Sequence, residues 1–233
     1  MNKFPTLSEQ LEQTVATFIN GLSTETTHIV EGSFNKLAAS HVAESAMTVG
    51  DIAPNFTLPG ATGNSVTLYN ILNKGAVVLS FYRGAWCPFC NLELRALQGI
   101  LPEIQGLGAT LISISPEKPD NSLSGIEKNN LEFEVLSDSG NQVARDYGLL
   151  CMVYEEMRPL YLEWGLDVPA ANGDDSWELP VPATYVIDSN SVVRAANTDK
   201  DYTKRMEPDD ILTALRALAT SPSSLTGVTT RQG

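Results

Sequence analysis

Apolar positions in the first 46 residues recur at helical spacing. Leu7, Leu11, Val15, Phe18 and Leu22 fall on one face, and Thr6 stands three residues before Glu9, the spacing of a capping box. Phe34, Leu37 and Val42 predict a second amphipathic piece over about residues 30–45. Two isolated helices cannot bury such stripes by themselves. They must pack on the main domain or on a second subunit, so a homodimer is one of the two arrangements expected.

The pattern changes near Thr48. Short alternating segments with turn residues at Pro59-Gly60 and Gly63-Asn64 predict a β-hairpin. AVVLSFY (76–82) is a continuous apolar run suited to a strand covered on both faces, and a helix should follow from about Pro88. ATLISIS (109–115) and FEVLSD (133–138) read as two further strands, with helices expected over 122–130 and about 140–147. Residues 157–177 are the least regular and should hold a helix and a loop. PATYVID and SVVRAAN predict a strand pair turning near Asp188 to Ser191, and Glu207-Pro208 opens a last helix with Ile211, Leu215 and Leu218 inward. The small, polar tail over 222–233 should be loose. Alternating β and α, closed by a β–β–α unit, implies an α/β fold with a central mixed β-sheet flanked by helices. The expected organisation is an extension over 1–46, a main domain over 47–221 and the tail.

Composition narrows the function. With 42% hydrophobic and 18% charged residues, the 233-residue chain suits a globular protein with one substantial core. A formal charge of −13 argues against nucleic acid or an anionic membrane as partner, because both need concentrated Lys and Arg. No apolar run is long enough to span a bilayer, and MNKFPTLSEQLEQ lacks an apolar signal core, so a cytoplasmic location is expected. Three cysteines fit catalysis, metal binding or burial better than an extracellular disulfide framework.

The chemistry concentrates in FYRGAWCPFCNLEL (81–94), where a buried strand runs into Cys87-Pro88-Phe89-Cys90 and then an amphipathic helix. A sulfur at a helix N-terminus meets unsatisfied N–H groups and the positive end of the dipole, which favour thiolate over thiol. The spacing lets the two sulfurs meet, so a reversible dithiol–disulfide change is expected. A zinc site would need further ligands, and only Cys151, His28 and His41 remain, none forming a second close pair. Cys151 reads as a buried core thiol rather than a resolving one. Trp86 reads as a packing residue that shields the site.

These segments resemble the AhpC/TSA, peroxiredoxin-like branch of the thioredoxin superfamily over roughly residues 47–220. VGDIAPNFTLPGATGNSVTL is similar to the family's entry segment, AVVLSFYRGAWCPFCNLEL to its active-site strand and helix, and VPATYVID to its late strand. The extension is similar to that of members with an R-G-x-W-C-P-x-C-N motif. The resemblance implies a thioredoxin-like fold and a thiol peroxidase. Typical members read P-x-x-x-T-x-x-C, which places Arg83 at the Pro, Cys87 at the Thr and Cys90 at the attacking cysteine; Glu93 matches the Glu three residues later. Pro182 stands where many members have a peroxide-holding Arg, and also resembles the cis-proline of thioredoxins, so a cis bond is expected there. With the Thr and that Arg absent, Arg83 is the nearest positive charge to activate a thiol, unless it is a surface Arg at a turn. Arg205 is a second candidate for that charge, ranked behind Arg83 because pairing with local acids is the readier reading.

Two mechanisms follow. In a peroxidase, a thiolate attacks a hydroperoxide and the sulfenic acid condenses with the second thiol; thioredoxin or a similar dithiol then reduces the disulfide. Family register makes Cys90 the attacker and Cys87 the resolver. In a thiol–disulfide oxidoreductase acting on protein or small disulfides, Cys87 attacks first. A redox-silent scaffold is the third reading, and the intact motif speaks against it. Neither a metal nor an organic cofactor is expected, since no Gly-rich phosphate loop follows a strand.

Overall fold

The computed structural model describes residues 5–61 and 63–220; the expected loose tail lies outside them. Helix α1 (Leu7–Asn20) starts with the capping box: Thr6 Oγ1 accepts from Glu9 N–H and Glu9 Oε2 accepts from Thr6 N–H. Its first free N–H groups, on Leu7 and Ser8, donate to the Glu207 carboxylate at 3.2 and 2.7 Å. Ser23 caps α2 (Thr24–Ala39), which therefore begins several residues earlier than its apolar stripe indicates.

The predicted hairpin is β1 (Thr57–Pro59) and β2 (Ser65–Thr67), followed by a short helix α3 (Leu68–Leu72). Next come β3 (Val77–Phe81), α4 (Pro88–Gly99), α5 (Leu101–Gly106), β4 (Thr110–Ser115), α6 (Pro119–Asn129), β5 (Glu134–Ser137) and α7 (Gln142–Asp146). Within the irregular stretch over 157–177 lie α8 (Arg158–Glu163) and α9 (Val168–Asn172), two short helices where one was expected; β6 (Leu150–Met152) and a 3-10 turn at Glu155–Met157 precede them and β7 (Glu178–Pro180) follows. Strands β6 and β7 form a separate antiparallel pair, and at three residues each they carry too little periodicity to be read from sequence. Strands β8 (Ala183–Ile187) and β9 (Val193–Thr198) and helix α10 (Pro208–Thr220) complete the chain.

The main sheet is mixed, in the order β5-β4-β3-β8-β9. Strands β3, β4 and β5 run parallel, while β8 is antiparallel to both β3 and β9. Because strand side chains alternate between faces, β3 serves two cores. Val78 packs with α4, α10 and Leu7 and Leu11 of α1; Val77, Leu79 and Phe81 pack with α3 and α7 on the other side. A third cluster, around Val30, Met157, Tyr161 and Leu179, joins α2 to the 153–179 region, with Phe18 of α1 against it. The extension thus packs on its own chain, with Leu7 and Leu11 buried and Val15, Phe18, Leu22, Phe34 and Leu37 half-buried.

Candidate active site

The site forms where β3 ends. Tyr82 N–H continues the ladder to Ile114 O at 2.9 Å, and the chain then turns through Arg83–Trp86 into α4. Gly84 has φ +148°, and a Cβ there would run into the Trp86 indole nitrogen, so the turn demands glycine. Ala85 N–H donates to Glu117 Oε2 at 2.8 Å, and Ala85 O accepts from Asn91 Nδ2 at 2.8 Å. Asn129 Nδ2 in turn holds Asn91 Oδ1 at 2.9 Å. These bonds anchor the turn to β4, α4 and α6.

Cys87 occupies the N-cap of α4, Pro88 takes the first helical position without losing a donor, and Cys90 lies one turn in. Both cysteines are buried, at 1% and 0% exposure. Burial opposes ionisation of Cys87, but the Cys90 thiol bonded to its sulfur, the Arg83 and Arg205 charges and the Cys90 N–H together bring it down to about 6. Burial, the bond to Cys87 and its negative charge hold Cys90 well above an ordinary thiol, against the pull of Arg205. The surroundings thus favour the first ionisation of the pair on Cys87 rather than on Cys90.

Two buried guanidinium groups surround the pair. Arg83 is not a surface residue: it is 5% exposed, bonds the Tyr161 hydroxyl and stacks on Tyr202 at 4.2 Å and Trp86 at 5.2 Å. Aromatic faces stabilise this charge where water cannot. Arg205 departs further from its expected role with local acids. Its Nε donates to Glu93 Oε2 at 2.6 Å, and its Nη2 stands 3.7 Å from Cys90 Sγ. Glu93 Oε1 accepts from Thr184 Oγ1 at 2.9 Å. Thr184 can reach α4 because it shares Val186's face of β8. A guanidinium is thus restored beside the cysteines from the loop after β9, 112 residues beyond its carboxylate. Pairing over that distance leaves no local sequence signal.

Glu117, which the sequence did not single out, is 3% exposed and has its carboxyl raised to about 7. Burial drives that shift, the Ala85 N–H opposes it and the Cys87 charge adds to it. Trp86 is half-buried and meets Tyr161 edge-on at 6.0 Å. Pro182 lines a small hollow with Arg83 and Cys151, but the Val181–Pro182 bond is trans, contrary to the cis expectation. Pro180 and Val181 already carry the chain from the β6–β7 pair straight into β8, a course that extended trans geometry serves. Burial pushes the Cys151 thiol up to about 11, which leaves it unreactive near neutrality. Among the described residues no three His, Cys, Asp or Glu side chains group to hold a metal ion.

Residues 49–196 match the AhpC/TSA family. The chain belongs to that family. It is 33% identical over 103 residues to peroxiredoxin Bcp of Escherichia coli K12, covering 44% of this chain and 65% of that protein. A putative peroxiredoxin bcp of Haemophilus influenzae is 35% identical over 103 residues, covering 44% and 66%. The matches thus span just under two thirds of these relatives' lengths. Among solved structures, peroxidoxin BcpB from Mycobacterium tuberculosis superposes with a TM-score of 0.58 at 24% identity, over 74% of this chain and 98% of that one. Peroxiredoxin 6 of Arenicola marina gives 0.59 at 15% identity, over 74% of each. The AhpC/TSA chain accordingly has the thioredoxin-like fold expected of it, with α1 and α2 preceding the matched region.

Proposed function

We propose that this AhpC/TSA protein is a thiol-dependent peroxidase that reduces hydroperoxides through a Cys87–Cys90 dithiol–disulfide cycle. One observation carries the reading: two buried cysteines stand one helical turn apart at the start of α4, with the buried guanidinium groups of Arg83 and Arg205 beside them, charges that pull the Cys87 thiol below its ordinary range. The Cys87 thiolate attacks the terminal oxygen of ROOH, that OH passes to sulfur as the O–O bond breaks, and the leaving alkoxide takes a proton from solvent to become ROH. Cys87 is then a neutral sulfenic acid. The negative charge that kept Cys90 protonated has gone, and Arg205, 3.7 Å away, now favours the Cys90 thiolate. Its attack on Cys87 forms the disulfide and breaks the S–O bond, and the departing hydroxide takes up the proton that Cys90 has given up and leaves as water. Electrostatics thus supports Cys87 as first attacker, the reverse of the order implied by family register. Thioredoxin or a similar dithiol restores both thiols by exchange.

In this reading residues 47–221 form the catalytic domain and 1–46 a cover for it, working in a reducing, cytoplasmic setting. Among the described residues no helix is long and apolar enough to cross a membrane. The second reading, a disulfide oxidoreductase, draws on the same low-lying Cys87 thiolate. It demands that a bulky disulfide reach a sulfur that is 1% exposed, whereas a hydroperoxide is small enough to enter. Stopped-flow oxidation by peroxide separates them. Cys90→Ser should form a stable sulfenic acid rapidly and Cys87→Ser should not; slow peroxide reaction with rapid insulin-disulfide reduction would establish the alternative.

A further inference from the structure

Cys87 forms part of the wall of a chamber of about 220 Å³, and Cys90 does not. Most of that wall is apolar: Phe18 of α1, Val30 of α2, Phe89 of α4, and Trp164 and Leu166 beyond α8. Phe18 meets Trp164 edge-on at 5.2 Å, which closes the extension against the 157–166 segment. Polar groups come from Arg83, Cys87, Tyr161 and Tyr202, together with the indoles of Trp86 and Trp164, and Arg83 is already bonded to Tyr161.

Resting on the peroxidase reading, we infer that this chamber binds the organic part of a hydroperoxide, and that Phe18 and Val30 set a preference for aryl- or alkyl-bearing substrates over hydrogen peroxide. An apolar cavity of about 150 Å³ already admits benzene, so the volume here accommodates a substituted ring or a branched alkyl group. Such a group gains by leaving water for apolar walls. Hydrogen peroxide has nothing to bury there and exchanges full hydration for few partners. The reactive sulfur lies in the same wall, so a ligand held by its apolar part brings its O–O bond to Cys87, transfers the terminal oxygen and departs as the alcohol. Both α1 and α2 precede the residues that match the family, so this part of the wall is an addition to the matched domain.

The test compares kcat/KM for cumene hydroperoxide and hydrogen peroxide in the full chain, in Phe18→Ala and in Val30→Phe, which fills the chamber. The native protein should favour cumene hydroperoxide by about 10-fold or more, and each substitution should lower that ratio by about 10-fold, the scale for losing fit in an apolar pocket. A native ratio near one, or a ratio unmoved in both variants, overturns the inference and leaves the peroxidase reading standing. Failure of both peroxides to react removes that reading instead. The chamber is then judged by quenching of the Trp86 and Trp164 fluorescence with cumyl alcohol, which needs no turnover and can be read on the native chain even if Phe18→Ala fails to fold. Saturable quenching, weakened in Val30→Phe, supports the site; absence of quenching refutes it.

Discussion

The ionisation of Cys87 supports the sharpest prediction. An ordinary thiol near 9.0 is brought here to about 6, with Cys90 above the ordinary value and Cys151 at about 11. At pH 7 this makes Cys87 roughly 90% thiolate, against roughly 1% for an unperturbed group, and leaves the other two thiols silent. Ultraviolet thiolate absorbance of the reduced protein should therefore show about one equivalent titrating with a midpoint near 6. Alkylation rate is the weaker readout. The roughly 90-fold gain in thiolate is offset by lost nucleophilicity over three units, leaving about 3- to 6-fold. Replacing Arg83 by Met should raise the midpoint by about one unit or more, whereas Arg83→Lys should keep most of the shift. A native midpoint above about 8, or a low midpoint that survives in Cys87→Ser, would refute the reasoning. The same arithmetic shows that thiolate supply alone cannot make a fast peroxidase. The proposed peroxidase reaction therefore also requires the guanidinium groups to stabilise charge on the breaking O–O bond.

Three further outcomes follow from the surroundings of the pair. Glu93→Gln leaves Arg205 charged, buried and without its carboxylate, and should cost about 3–5 kcal/mol in urea unfolding, partly recovered in Glu93→Leu/Arg205→Met; a loss below about 1 kcal/mol would count against a coupled pair. Glu117 titrates near 7 when folded against 4.5 ordinarily, so its contribution to stability is complete below about 4.5 and is lost as pH rises through 7. Glu117→Gln should therefore stabilise the reduced protein at pH 8 relative to pH 5, by up to about 3 kcal/mol, and equal unfolding midpoint shifts at the two pH values would contradict the assignment. Gly84→Ala meets a positive φ and the Trp86 ring, and should cost about 2 kcal/mol while displacing Trp86, seen as a change in near-ultraviolet dichroism; an unchanged spectrum with native stability would show the turn to be tolerant.

What could be read along the chain was what depends on near neighbours. The two-faced apolar run Val77–Phe81, the Thr6–Glu9 cap, the Pro59 to Asn64 turns and the cysteines at the start of α4 are all set by residues within a few positions of one another. Local dipoles and unpaired N–H groups already mark the start of α4 as a place that favours a thiolate, without choosing between Cys87 and Cys90. Tertiary structure decided which charges complete the site. Arg205 reaches Glu93 and Cys90 only because β8 and β9 bring the following loop over α4, and Glu117 meets the Cys87 turn only because β4 lies beside β3. Folding also made Phe18 and Val30, on two helices whose packing partner the pattern left open, part of the wall of a chamber over the sulfur. The Coulomb and packing terms that select between thiols act through space, between residues tens of positions apart, and no spacing rule along the chain can express them.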